Sequence, residues 1–291
     1  MLRRPPSPTD VRVALQGVGL SVSFGGRQVL DAVSVEVGAG DVVGMIGPNG
    51  AGKTTLFDVL SGYVQPSSGH VFIAEVEADR LSPDGRARAG LSRSFQNARM
   101  FPALTVRENV AVALEQHVKA RSAVMAAAWL PPVRASERRV ARRVESLIDL
   151  FQLGAYADKF AGELSTGTRR MLDMACIMAA EPRILLLDEP SSGLAQAEVE
   201  VLSPTIRRLA RETRCGVLVI EHDLPLVTNV SDRLIALELG RVIAEGEPAD
   251  VVAHPDVVAA YLGASQTTIE RSGTELSAAL ASAGILTKEG K

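Results

Sequence analysis

Val42-Val43-Gly44-Met45-Ile46-Gly47-Pro48-Asn49-Gly50-Ala51-Gly52-Lys53-Thr54-Thr55 decides the fold. Val42 to Ile46 is a continuous apolar run, the pattern of a strand buried on both faces. Gly47 to Thr54 fits G-x-x-x-x-G-K-[S/T], in which the glycines let the chain curl until successive N–H groups point inward as a nest for an anion. Lys53 supplies a point charge for β- and γ-phosphates, and the Thr54 hydroxyl is placed to ligate Mg²⁺. A helix from Lys53 towards Leu60 aims its positive dipole end at the same phosphates. A glycine-rich turn can imitate the loop, but not the strand before it together with the helix after it.

Two further apolar runs read as buried strands: Ile184-Leu185-Leu186-Leu187 and Val217-Leu218-Val219-Ile220. Buried strands separated by helical stretches predict a parallel α/β sheet. The first run ends in Asp188-Glu189-Pro190, which puts two carboxylates at the strand's C-terminal edge, where open α/β sheets bind ligands. Asp188 is read as holding Mg²⁺ through water, and Glu189 as polarising an attacking water. Upstream, Leu20 to Phe24 and Val33 to Val37 alternate apolar and polar residues, as half-buried antiparallel strands do, with Gly25-Gly26 as a turn. Val140, Val144, Leu147, Ile148 and Phe151 share one helix face, with Arg138, Arg139, Arg142 and Arg143 largely off it. Met171, Met174 and Met178, at helical spacing, read as core. The residues from Ala264 to Lys291 are small and polar and read as an appendage.

Composition narrows the class. The 291 residues are 46% hydrophobic and 22% charged, which excludes a disordered or fibrous chain. With 31 Lys+Arg against 34 Asp+Glu the net charge is −3, which argues against coating nucleic acid by charge alone. The 2 cysteines, Cys176 and Cys215, are too few for a disulfide framework and suit a reducing compartment. No run is long enough to span a membrane: Ala123 to Leu130 meets Pro131-Pro132 after a few residues, and Met1 to Pro6 is basic without a signal peptide's apolar run.

Taken in order, these elements resemble the ATP-binding subunits of ABC transporters, over nearly all of Val11 to Gly263. Leu164-Ser165-Thr166-Gly167-Thr168 is similar to the family's signature loop. Gln96, in Ser94-Phe95-Gln96-Asn97, matches its Q-loop, and His222, in Glu221-His222-Asp223, its switch histidine. Phe24 matches the aromatic that stacks on adenine; by pattern alone it reads equally as core. The resemblance implies an ABC-type P-loop ATPase core with a mostly parallel sheet, an N-terminal antiparallel β subdomain and an inserted helical subdomain. It puts the nucleotide-binding domain at residues 1–263, the helical subdomain at roughly 97–180 and a tail at 264–291.

It also implies a mechanism: two such domains close head-to-tail around two ATP molecules. Gly47, Pro48, Asn49, Gly50, Ala51, Gly52, Lys53, Thr54 and Thr55 would cradle one nucleotide. Glu189, His222 and Gln96 would be catalytic, and Thr54, Gln96 and Asp188 would hold Mg²⁺. Ser165 and Gly167 would reach the γ-phosphate held by the other subunit. Thr166 and Thr168 depart from the usual Gly and Gln, and Ala195 stands where the family usually carries Asp.

Gly90 to Phe101, Leu104 to Val110, the long helical region from Val110 to Phe151, and Pro255 to Gly263 are similar to the longer ATPase subunit of branched-chain amino-acid importers. That branch implies integral-membrane permease partners, a second ATPase subunit in a homo- or heterodimer, an indirect external binding protein, and a position on the inner face of the cell membrane. The alternatives are an ATPase of a lipid or lipopolysaccharide extraction system and a soluble ABC ATPase unconnected to transport. Met100, Phe101 and Leu104 are expected as an exposed apolar patch against a permease loop.

Overall fold

The computed structural model describes residues 12–94, 100–115 and 131–264. Gln96, the run Ala123 to Leu130 and residues 265–291 lie outside the described residues. The described chain divides into two compact units. One takes the chain up to Arg93, then Arg183–Ser192, then from Ile206 onward; the other takes Ser94–Pro182 and Gly193–Thr205.

The first unit holds two sheets. Strands β1 (Val13–Phe24), β2 (Arg27–Gly38), β3 (Val42–Ile46), β4 (Ser68–Ile73), β5 (Val76–Glu77), β6 (Leu91–Arg93), β7 (Ile184–Asp188), β8 (Gly216–Ile220), β9 (Arg233–Glu238) and β10 (Arg241–Gly246) are its framework. β1 pairs antiparallel with β2 and β4, in the order β2-β1-β4-β5. The alternating segments near Leu20 and Val33 are therefore parts of longer strands. The larger sheet runs β10-β9-β3-β8-β7-β6, parallel throughout except for β10 on its edge. Every residue of β3 and β8 is buried, as unbroken apolar runs require in the middle of a parallel sheet.

The helices are α1 (Lys53–Ser61), α2 (Pro83–Ala89), α3 (Val106–Glu115), α4 (Pro131–Leu150), α5 (Thr166–Met178), α6 (Gln196–Thr213), α7 (Leu224–Val230), α8 (Pro248–Ala253) and α9 (Pro255–Ala264). Leu56, Phe57, Val59 and Leu60 of α1 join Leu15, Leu20, Leu30, Val35, Met45, Ile220 and Ile235 in one buried cluster, so the phosphate-loop helix is anchored by both sheets. Its C-terminal carbonyls receive Arg86, a fully buried side chain of α2 whose Nη1 donates to Val59 O at 2.5 Å and to Leu60 O at 2.8 Å. A cation there satisfies carbonyls that have no partner within the helix.

In the second unit α3, α4 and α5 contact one another. Val144, Leu147, Ile148, Phe151, Met171, Met174 and Met178 are buried, as their spacing predicts, while Val140, expected on the same face, is half-buried. Arg138, Arg139 and Arg142 are exposed, whereas Arg143 is half-buried and pairs with Glu181 at 3.4 Å. Thr105 and Glu108 form a reciprocal cap at the start of α3: the Thr105 N–H donates to Glu108 Oε2 at 2.8 Å and the Glu108 N–H to Thr105 Oγ1 at 3.2 Å. Buried Asn109 pins the preceding turn, accepting from Phe101 N–H at 2.9 Å and donating to Phe101 O and Leu104 O.

The expected patch there is smaller than its sequence promised. Phe101 is 54% exposed, but Met100 and Leu104 are half-buried, because the turn folds back on Asn109. No helix among the described residues is long and apolar enough to cross a membrane.

Candidate active site

The loop after β3 is built for close approach of backbone to an anion. A Cβ at Gly47 would stand 2.1 Å from Leu237 O, and one at Gly52 2.9 Å from Val29 O, so neither position tolerates a side chain. Gly52, at φ 106°, is the N-cap of α1 and provides no side-chain cap, which leaves the first amides of α1 to an anionic ligand. Gly47, Ala51, Gly52 and Lys53 are buried, Pro48 and Thr55 half-buried, and Asn49, Gly50 and Thr54 exposed. Lys53 Nζ donates to Gly47 O at 2.6 Å and to Pro48 O at 3.1 Å, folding the loop around its own ammonium. Burial lowers the Lys53 pKa, against the opposing pull of Glu189 and Asp188. The Gly47 N–H donates to the hydroxyl of Tyr261 on α9 at 2.9 Å.

Register brings the second motif to the same sheet edge. Met45 of β3 and Asp188 of β7 both pair with Ile220 of β8. Arg93, at the end of β6, bridges two carboxylates: Nη1 lies 2.6 Å from Asp58 Oδ1 of α1 and Nη2 3.2 Å from Asp188 Oδ2. Its guanidinium also sits over the Phe57 ring, 5.6 Å from the centroid, so a single half-apolar, charged side chain ties α1 to β7. Glu189 has φ 48°, a left-handed conformation that costs a non-glycine residue about 1–2 kcal/mol. Its N–H donates to Ile220 O at 2.9 Å, and its Oε1 lies 2.9 Å from His222 Nε2.

Glu221 is buried beside this pair and accepts from the Ser191 N–H at 2.7 Å and the Ser191 hydroxyl at 2.8 Å. Burial pushes its carboxyl pKa up, while those hydrogen bonds oppose the rise. Asp223 caps α7, accepting from the Leu226 N–H. Phe24, at the end of β1, is 53% exposed, so it is not core.

In the second unit Ser165 is the N-cap of α5, its Oγ accepting from the Thr168 N–H at 3.2 Å. The Ser165 hydroxyl and the Gly167 N–H both point at one carboxylate oxygen, Glu198 Oε1, at 2.9 and 3.0 Å.

Sequence reasoning missed Arg93, Glu221 and Glu198 as site residues, and quoted Tyr261 only as part of a family ending. Arg93 and Glu221 lay within stretches already singled out, but nothing local marks which neighbour of a motif turns inward. Cys176 and Cys215 take no part in the site: burial pushes both thiols up to about 12, so neither is a reactive thiolate.

A phosphate-cradling loop after a central parallel strand, with a carboxylate pair across the neighbouring strand, defines a P-loop nucleotide hydrolase. The ABC transporter family matches residues 30–192, and the branched-chain amino acid ATP-binding cassette transporter family matches residues 241–266. The chain is 38% identical to the high-affinity branched-chain amino acid transport ATP-binding protein BraF of Pseudomonas aeruginosa, over 87% of this chain and 98% of that one. It is 35% identical to LivG, of the same description, from Escherichia coli, over 84% and 96%. It is also 35% identical to the lipopolysaccharide export system ATP-binding protein LptB of Acidithiobacillus ferridurans, over 86% and 96%. The ADP conformation of MJ1267, an ATP-binding cassette of an ABC transporter, superposes with a TM-score of 0.71 at 27% identity, covering 86% of this chain and 99% of that one. The chain belongs to the ATP-binding subunits of ABC transporters, and it is an ATP-hydrolysing P-loop enzyme.

Proposed function

We propose that this subunit energises an importer of branched-chain amino acids or related small polar solutes. The observation that supports the reading is the match of residues 241–266 to the branched-chain amino acid cassette family, alongside 38% identity to BraF. The segment that matches the branched-chain amino acid cassette family supplies the hydroxyl that receives the first amide of the phosphate loop. A second reading, as the ATPase of a lipopolysaccharide export system, has the likeness to LptB behind it, but lower identity than BraF.

The site residues divide the work. Lys53 leaves Gly47 O and Pro48 O to meet the β- and γ-phosphates, while the loop amides and the N-terminus of α1 take the remaining oxygens. Phe24, exposed at the end of β1, offers a face for adenine. Thr54 and Asp188 are hard oxygen donors at one sheet edge, a set that fits Mg²⁺, with Gln96 as a third by resemblance. Bound there, Mg²⁺ would neutralise charge on the phosphates. Glu189 accepts the proton of the attacking water, and His222, 2.9 Å from Oε1, orients that carboxylate and meets the γ-phosphate.

Ser165 and Gly167 serve the nucleotide of a second ATPase subunit, so that closure depends on the γ-phosphate. The partners are integral-membrane permeases, with an external binding protein acting through them. The subunit then lies peripherally on the inner face of the cell membrane, with Phe101 the exposed apolar contact for a permease loop.

Co-purification of membrane chains with the tagged subunit, followed by uptake of labelled leucine, valine and urea, tests this. Uptake that requires this chain and follows an aliphatic amino acid supports the reading. Retrieval of lipid-extraction permeases with no uptake favours the second one.

A further inference from the structure

Glu198 joins the first turns of two helices. Its Oε1 accepts from Ser165 Oγ at 2.9 Å and from the Gly167 N–H at 3.0 Å, both at the start of α5. Its Oε2 accepts from the Ala195 N–H at 3.1 Å, just before α6. The second contact is half of a capping box: Ala195 has no side-chain oxygen with which to cap α6, so the glutamate three residues on reaches back to its amide. The first contact has no such local explanation, because Glu198 and Ser165 are 33 residues apart.

Gly167 makes the approach possible. A Cβ there would stand 2.5 Å from Glu198 Oε1 and Cδ, so any other residue would push the carboxylate away. Thr168 completes the arrangement, its Oγ1 lying 3.0 Å from Ser165 Oγ. These hydrogen bonds, with Ala195 the largest influence, hold the Glu198 carboxyl below its ordinary pKa, so it is anionic at neutral pH.

We propose that Glu198 is a positioning residue for the reaction: its carboxylate occupies the Ser165 hydroxyl and Gly167 amide until the partner subunit's γ-phosphate displaces it. This rests on the reading that Ser165 and Gly167 serve that phosphate. A carboxylate oxygen and a phosphoryl oxygen take the same donors at a helix N-terminus, and two anions cannot share them without strong repulsion. The doubly charged terminal phosphate of a nucleoside triphosphate outcompetes a single carboxylate. A diphosphate delivers no group to that position, so Glu198 stays. The exchange sharpens discrimination between triphosphate and diphosphate at a step where the chain's own nucleotide loop takes no part. On release Glu198 keeps its hold on Ala195, so displacement is felt in the segment where this chain carries Ala195.

The test uses the transport complex purified with its permease and partner ATPase chains, carrying Glu198→Gln or Glu198→Asp in this subunit. The amide keeps the shape but loses the charge; the shorter acid keeps the charge but falls short of Ser165. Both should lower the ATP concentration for half-maximal hydrolysis, by about five-fold for the loss of a charge-assisted contact, with kcat little changed. ADP binding by the isolated chain should not change. A merely structural role predicts the opposite: a higher KM or a lower kcat.

Ser165→Ala in the same complex separates the two ideas. If Ser165→Ala impairs hydrolysis while both Glu198 variants leave KM unchanged or raise it, the competition is refuted and the assignment of Ser165 stands. If Ser165→Ala is without effect, that assignment fails and takes the competition with it.

Discussion

His222 Nε2 lies 2.9 Å from Glu189 Oε1, joining the residue after β7 to the second residue after β8. The contact depends on register: Asp188 pairs with Ile220, which brings both strand ends to one height. Glu189 reaches it through a left-handed backbone, and the Glu189 N–H bond to Ile220 O helps to hold that conformation. Strain held at a carboxylate beside an imidazole fits the proposed role of Glu189 as the acceptor of the water's proton.

Glu189→Gln should therefore bind ATP with near-native affinity and hydrolyse it at least about 100-fold more slowly, since the amide cannot accept the proton. His222→Ala should lose a comparable factor while its nucleotide affinity stays close to native. Single-turnover hydrolysis beside equilibrium binding of a labelled nucleotide separates the two effects. Rapid hydrolysis by Glu189→Gln would assign the base elsewhere.

Lys53→Met should weaken nucleotide binding by at least about ten-fold, because the phosphates lose their point charge. The same variant tests the burial of the ammonium. Burial lowers the folded-state pKa below the unfolded value of 10.5, so between the two the unfolded chain binds more protons and native stability rises with pH. Removing the ammonium should remove that rise in denaturant titrations across the alkaline range.

Asp173 on α5 is 8% exposed, and its Oδ2 has no hydrogen-bond partner among the described residues. Burial raises its pKa from 3.8 to about 6, an effect Arg170 only partly offsets. Between those values the native state holds a proton that the unfolded chain has released, so this residue's contribution falls as pH rises and is fully unfavourable above about 6. Asp173→Asn should therefore stabilise the protein at pH 8 by roughly 2 kcal/mol and flatten that part of the profile. Urea melts at pH 4, 6 and 8 check both the sign and the window.

Tyr261→Phe removes the acceptor of the Gly47 N–H while keeping the ring. An amide left unsatisfied in a buried place costs about 1–3 kcal/mol, so the variant should melt earlier and show a raised KM for ATP. Unaltered ATP affinity would mean that the α9 contact supports the fold without tuning the phosphate loop.

Much of this was legible in the linear chain. Gly47 to Thr54 is a contiguous device whose spacing alone demands a nest and a helix start, and the unbroken apolar runs of β3, β7 and β8 could only be buried strands. The heptad-like rhythm of Val144, Leu147, Ile148 and Phe151 named the buried face of α4 before any packing was known. Local periodicity and local turn chemistry are covalently encoded, so they survive without tertiary context.

What only the tertiary structure decided are pairings between distant residues. Arg93 with Asp188 spans 95 residues, and Gly47 with Tyr261 spans 214. Nothing near Arg93 distinguishes it from the solvent-exposed arginines of α4; it meets Asp188 only because β6 and β7 lie side by side, and Asp58 only because α1 comes within reach of the same strand end. The same holds for Met100 and Leu104, whose apolar character promised exposure until Asn109 drew the turn inward. Glu198 reads along the chain as one more acid in the first turn of a helix. Its second set of contacts, with Ser165 and Gly167, follows from two helix N-termini meeting: an isolated helix start is satisfied by water or a local cap, whereas two brought together can share one carboxylate.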